Sequence, residues 1–236
     1  MSPSPFDPTF EDLPDVLPIF PLTGVLLLPS TRMPLHVFEP RYRAMIEDAL
    51  AEGSPIGMIQ PMVPADDNGR PTEGAADEVG AAEESPELYR IGCAGTIESA
   101  QQLDGGRWLV LLQGARRFRV ESELPLRNGY RRVVADWRPF AHDGSEVLDD
   151  DSTALLVARL ERYGRQRSLD LDLDTLSELP GITLLHGIAA ALPFSPAERQ
   201  ALLEASDAAA RLQLLLDLLA MEEASGPGGD TEGAPN

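Results

Sequence analysis

The chain has 236 residues, 43% of them hydrophobic, and a formal net charge of −20. That is enough apolar material for a real core, while the charge favours solubility and opposes binding to phosphate backbones. One cysteine, Cys93, and no lysine at all exclude an internal disulfide, a multi-cysteine metal site, a lysine Schiff base, a Ser-Lys dyad and a lysine-based phosphate grip. A lone thiol fits a reducing, cytoplasmic setting, and His36, His142 and His186 show no metal-ligand spacing.

Residues 1–15, rich in Pro, Ser and Asp, read as a flexible arm. The uncharged run VLPIFPLTGVLLLPST at 16–31 follows four acids and no base, which is wrong for a signal peptide. Pro18, Pro21, Gly24 and Pro29 break it too often for a membrane-spanning helix. Two short strands, 16–20 and 25–28, are expected instead. Tyr42, Met45, Ile46 and Ala49 then recur with helical spacing, with Pro40 at the start and Gly53 at the stop. A strand at 55–62 follows. The acidic, small-residue stretch 63–87 buries too little to offset its ordering entropy and reads as a mobile loop.

Strands 88–102 and 107–120 flank Leu103-Asp104-Gly105-Gly106, a hairpin turn. WLVLL at 108–112 is apolar on consecutive positions, so both its faces are expected to be covered. Gly114 marks a bulge or bend. A strand at 130–137 follows the turn Arg127-Asn128-Gly129. From about 149 the pattern is helical: Leu156, Leu160 and Tyr163 share a face, and 168–179 reads as a loop or short helix. An apolar helix covers 181–191, a Ser195–Glu198 capping box opens another, and a last helix starts at Ser206 or Asp207. The tail after Ala224 is Gly/Pro-rich and reads as disordered. The sum is an α+β chain: a mainly β unit with one inserted helix, of a kind that closes into barrels, then a helical unit.

LPIFPLTGVLLLPSTRMPLHVFEPRYRAMI, IGMIQP and LYRIGCAGTIESAQQLDGGRWLVLLQGARRFRV, in that order, resemble the N-terminal substrate-binding domain of the Lon proteases. Tyr89, Gly92, Gly95 and Ile97, then Gly114, Arg117, Arg119 and Val120, carry the hairpin part of the likeness. LPFSPAERQALLEASDAAARLQLLLDLL resembles the helical part, and the likeness spans about 16–222. It implies a PUA-like, mainly antiparallel β-barrel with an inserted helix at 16–140, then a C-terminal α-helical bundle at 149–223. It also implies recognition of unfolded or apolar polypeptide segments, without cofactor, metal or membrane. The ATPase and Ser-Lys protease of Lon are not matched, so the resemblance implies a free-standing, non-catalytic protein suited to an adaptor role in quality control, to which any peptidase label would come from its relatives.

The peptide-binding candidates are Val25, Leu27, Met33, Leu35, Val37, Phe38 and Tyr42, apolar groups around the 25–38 segment and the helix entry. Against this stands a purely anchoring role for Phe38 and Tyr42 between helix and sheet. Arg116, Arg117, Arg119, Arg131 and Arg132, with Phe118 among them, form the one basic concentration. They support an alternative, an RNA-binding PUA-like protein, unless they pair with the chain's many acids; the net charge favours pairing, so no nucleic acid is expected. Ser30, Thr31, His36 and Glu39 lie close in sequence but read as a loop ahead of a helix, His186 as a packed histidine and Cys93 as a small buried hydrophobe.

Overall fold

A computed structural model describes residues 13–62, 86–169 and 171–225. The acidic stretch expected as a loop at 63–87 lies outside these but for its last two residues, as do most of the arm and of the tail. The strands are β1 (Val16–Pro21), β2 (Arg32–Val37), β3 (Ile56–Ile59), β4 (Ile91–Leu103), β5 (Arg107–Arg127) and β6 (Tyr130–Asp136). The helices are α1 (Pro40–Glu52), α2 (Asp150–Arg167), α3 (Leu173–Ser177), α4 (Gly181–Ala191), α5 (Pro196–Glu204) and α6 (Ala208–Ser225). They fall into two compact units: residues up to Ser145 with Ala190–Glu204, and Glu146–Ala189 with the residues from Ala205 onward.

The first unit is a mixed sheet of order β2-β5-β4-β3-β1-β6, in which β5 also pairs with β6. β1 runs parallel to β3, and the other pairings are antiparallel. The length of β5 makes this possible. Its first part takes β2 along one edge and its last part takes β6, while β4 lies along the opposite edge. The expected end of this strand at 120 is therefore too early. Pairing with β6 carries it through Pro125 to Arg127, with register shifts on the way.

The expected strand at 25–28 is not formed. Leu26, Leu27 and Leu28 are buried, but the chain turns there. The Thr31 hydroxyl donates to the Leu28 carbonyl at 2.7 Å and accepts the Leu28 N–H at 3.1 Å, closing the turn in place of a sheet ladder. The strand comes later, as β2. The turn presses on Gly114, where a Cβ would lie 2.1 Å from the Leu28 oxygen. Glycine is needed there for this close approach, and the sheet register shifts beside it, between Ala94 and Gly95.

The core of the unit gathers around Phe118, which is fully buried with Leu17, Ile19 and Val133. The Tyr42 ring of α1 packs on Phe20 with centroids 4.1 Å apart. At the other side of α1, the Tyr130 hydroxyl donates to Asp48 at 2.7 Å, and Arg127 pairs with Asp48 and Glu52. Burial, and then this hydrogen bond to Asp48, push the Tyr130 phenol up to about 12.

Helix α5 belongs to this unit because buried polar groups hold it. Arg117 and Asp143, each 1% exposed, form a two-pronged ion pair, with Nη2 to Oδ1 at 2.7 Å. The Arg117 guanidinium also donates to the Leu203 carbonyl at 2.9 Å and stacks on Phe140. Gln60 donates to the Pro196 carbonyl and to the Gln200 side chain, which in turn reaches the Ile91 carbonyl. The capping box that opens α5 is present: Glu198 accepts from the Ser195 N–H at 2.8 Å.

In the second unit, Leu156, Leu160 and Tyr163 of α2 are buried, as are Leu184 and Leu185 of α4 and Leu212, Leu215 and Leu219 of α6. Asp149 caps α2 by accepting the Ser152 N–H, and Asp207 caps α6 by accepting the Ala210 N–H. Gln166 and Arg167 bond Glu223 and Glu222, so the C-terminal ends of α2 and α6 lie side by side. The stretch 168–179 contains the short helix α3, as expected. No helix among the described residues is long and apolar enough to cross a membrane.

Candidate functional site

The seven candidate residues divide by strand parity. In β2 the odd positions point inward: Leu35 and Val37 are 5% and 1% exposed, and Met33 is half-buried. They stand opposite Val110, Trp108 and Leu112 of β5. The even positions point outward, so Pro34 and His36 are exposed, and Phe38, just past the strand, is 61% exposed. Leu27 is buried in the turn, Tyr42 is buried under α1, and Val25 is half-buried. Of the seven, Phe38 is the side chain that faces solvent. Its anchoring role is not what the structure holds; Tyr42 alone does that work, with Arg41 over its ring at 4.6 Å and burial raising its phenol above the ordinary range.

Around Phe38 lie residues outside the seven peptide-binding candidates. His36 meets the Phe38 ring edge-on at 6.2 Å between centroids. Opposite His36 in the ladder is Leu109, 45% exposed, and opposite Pro34 is the half-buried Leu111. The expectation that 108–112 is covered on both faces thus fails on the outer side. Val110 and Leu112 are buried inward, while Leu109 and Leu111 form a partly open apolar strip with Pro34, His36 and Phe38. A consecutive apolar run carries no mark of which face stays open. The strip's polar border is internally neutral: Arg32 and Glu98 form a two-pronged pair at 2.6 and 2.9 Å.

The other candidate clusters are absorbed by the fold. Ser30 donates its backbone N–H to the Gly114 carbonyl, Thr31 closes the turn, Glu39 pairs with Arg41, and His36 meets Phe38 on the outer face. His186 is buried on α4, with its Nε2 2.9 Å from a guanidinium nitrogen of Arg211. Most of the arginine concentration is engaged within the chain, though of the five only Arg116 and Arg117 are buried. Arg116 donates to the Phe140 and Ala141 carbonyls, Arg117 holds Asp143, Arg131 pairs with Glu123, and Arg132 reaches the Pro125 carbonyl. Arg119 is exposed. Among the described residues no group of three or more His, Cys, Asp or Glu is placed to hold a metal ion.

These elements carry a family likeness along nearly the whole chain. Residues 16–221 match the model of the ATP-dependent protease La (LON) substrate-binding domain. Lon protease 2 of Myxococcus xanthus is 28% identical over 218 residues, which cover 89% of this chain and 24% of that protein. Lon protease 2 of Sorangium cellulosum is 30% identical over 87% of this chain and again 24% of its own length. The chain thus spans about a quarter of the curated relatives it matches. Among solved structures, the Lon N-terminal domain protein from Xanthomonas campestris superposes with a TM-score of 0.56 at 28% identity, covering 87% of this chain and 97% of that one. The N-terminal domain of the Mycobacterium avium complex Lon protease gives 0.59 at 20% identity, covering 87% and 98%, a likeness of fold. The chain belongs to the Lon substrate-binding domain family.

Proposed function

We propose that this protein is a non-catalytic, cytoplasmic polypeptide-binding module that presents unfolded or apolar segments, as an adaptor in protein quality control. The observation that carries the reading is the open apolar strip of Pro34, His36, Phe38, Leu109 and Leu111 in a member of a substrate-binding domain family. The path of pairings β5-β4-β3-β1-β6-β5 supports a PUA-like barrel as its platform, and α2, α3, α4 and α6 support a separate helical subdomain within 149–223, from which α5 departs to join the sheet unit. A chain without lysine supplies neither the phosphate-gripping nor the catalytic lysine of a Lon-type ATPase and protease. RNA binding finds less support, because most of the arginines it needs are spent on internal partners.

The strip is small, so binding is weak. Covering a large apolar side chain contributes about 1.5–3 kcal/mol, and ordering the peptide offsets part of that. Fluorescence anisotropy with a library of labelled apolar-rich peptides, titrated to about 1 mM protein, tests the reading. Saturable binding that Phe38→Ser weakens about fivefold or more is expected, with no ATP hydrolysis and no peptide cleavage. A flat anisotropy for every peptide, or turnover of either kind, defeats it.

A further inference from the structure

We infer that the free edge of β2 takes up an extended polypeptide segment as an added strand. This deepens the polypeptide-binding reading above and rests on it. The register identifies which backbone groups are on offer. The Gly114 N–H donates to the Thr31 carbonyl at 2.8 Å, and these two residues continue the Arg32–Gln113, Met33–Leu112 register of the β2–β5 ladder. In an antiparallel ladder, hydrogen-bonded and non-bonded pairs alternate. Met33, Leu35 and Val37 therefore bond β5, and Arg32, Pro34 and His36 turn their backbone groups the other way.

On that other side β2 has no strand neighbour among the described residues, and no turn or cap bond there engages the Arg32 or His36 N–H. The edge offers an N–H and a carbonyl at Arg32 and at His36, and a carbonyl alone at Pro34. Proline belongs on this side of an edge strand, because the ladder to β5 then loses no donor. Alternating donors and acceptors along an extended edge are complementary to one kind of partner, another extended backbone. A helix has its own N–H and carbonyl groups engaged and does not fit. A second copy fits poorly, because symmetric β2–β2 pairing centred on Pro34 sets two prolines opposite each other and forfeits the bonds at its middle.

The same geometry sets the side-chain preference. Every second residue of the added strand falls on the outer face, beside Pro34, His36 and Phe38, and is apolar in a good ligand. Charge selects little, since the nearby Arg32 and Glu98 neutralise each other. The class of ligand is thus an extended, proline-free segment with apolar residues at alternate positions, the composition of a strand exposed in an unfolded chain.

The test uses the full chain and a labelled eight-residue Val/Leu/Thr peptide, with two analogues N-methylated at one or the other alternate set of residues. One analogue is expected to lose about tenfold or more in affinity and the other to bind like the parent. The amide protons of Arg32 and His36 are expected to gain hydrogen-exchange protection when the parent peptide is added. His36→Pro and His36→Ala both lose the imidazole, but only the proline removes a donor from the free edge, and neither removes one from the β5 ladder, so His36→Pro is expected to weaken binding several-fold more than His36→Ala. Parent-like binding by both analogues overturns strand addition and leaves polypeptide binding standing. No binding by any peptide overturns both. Protection of the same amides by self-association alone, rising with protein concentration, assigns the edge to a second copy and overturns the inference.

Discussion

Two phenylalanines on neighbouring parts of one sheet meet opposite fates. Phe118 on β5 is 0% exposed, and its ring lies where Gly57 and Gly92 have no side chain. Phe38, at the end of the edge strand, is 61% exposed. Residue type does not separate them; position in the strand order and parity do. In the interior, strands on both sides and a helix or loop above leave no free face, so every atom is matched to a neighbour. At the edge, one row of backbone groups and one row of side chains have nothing opposite. Apolar side chains therefore stand in two settings in this protein: packed within the sheet at Phe118 and open to solvent at Phe38.

The largest expected effect breaks the interior where it is ionic. Replacing Arg117 by Met strands the Asp143 carboxylate, which is 1% exposed, and releases the Leu203 carbonyl. Removing one partner of a buried pair costs about 3–5 kcal/mol, whereas apolar replacement of both is often nearly neutral. Urea unfolding of Arg117→Met and of the double variant Arg117→Met/Asp143→Leu measures both. A single variant as stable as the parent would show that the pair does not hold α5 to the sheet. Gly92→Ala comes next. The added Cβ would lie 2.6 Å from both the Met58 oxygen and the Phe118 ring. Such overpacking costs about 1–3 kcal/mol, visible as a lower thermal midpoint; an unchanged midpoint would mean the interior yields as easily as the edge.

What could be read from the sequence follows the same division. Elements with strong local signals were legible: α1 from its helical spacing and Pro40, the β4–β5 hairpin from Asp-Gly, and α5 from its capping box. The strand at 25–28 was not, because the Thr31 hydroxyl, three residues beyond Leu28, closes a turn over apolar residues that look like a strand. The candidate site was half legible. Segment 25–42 contains the exposed Phe38, but Leu27, Leu35, Val37 and Tyr42 are core, while Pro34 and Leu109 carry no mark of exposure in the sequence and His36 reads there only as part of a loop. Composition marks a residue as apolar. Only its pairing partner and the strand's place in the sheet decide which side of it is open.

Alkali probes a contact between these extremes. Tyr130 is buried at its hydrogen bond to Asp48, and burial first, then that bond, raise its phenol from an ordinary 10 to about 12. The folded value lies above the unfolded one, so the contribution to stability is whole below about pH 10 and fades between about 10 and 12. Absorbance titration of the phenolates should show Tyr42 and Tyr130 ionising late, and Tyr130→Phe should remove the step near 12. If all tyrosines in the variant and the parent ionise alike, the α1–β6 contact is looser than drawn.

The smallest effect on stability is expected where the effect on binding is largest. Phe38→Ser removes a ring that is already mostly in water, so it changes the free energy of unfolding by no more than about 0.5 kcal/mol. The same change deletes the exposed ring of the apolar strip, and with it most of the peptide affinity expected of the strip. Chemical unfolding and peptide titration on one preparation separate the two quantities. A loss of stability comparable to that of Gly92→Ala would place Phe38 with the interior residues, and the distinction between a sheet that uses its apolar side chains for itself and an edge that offers them would collapse.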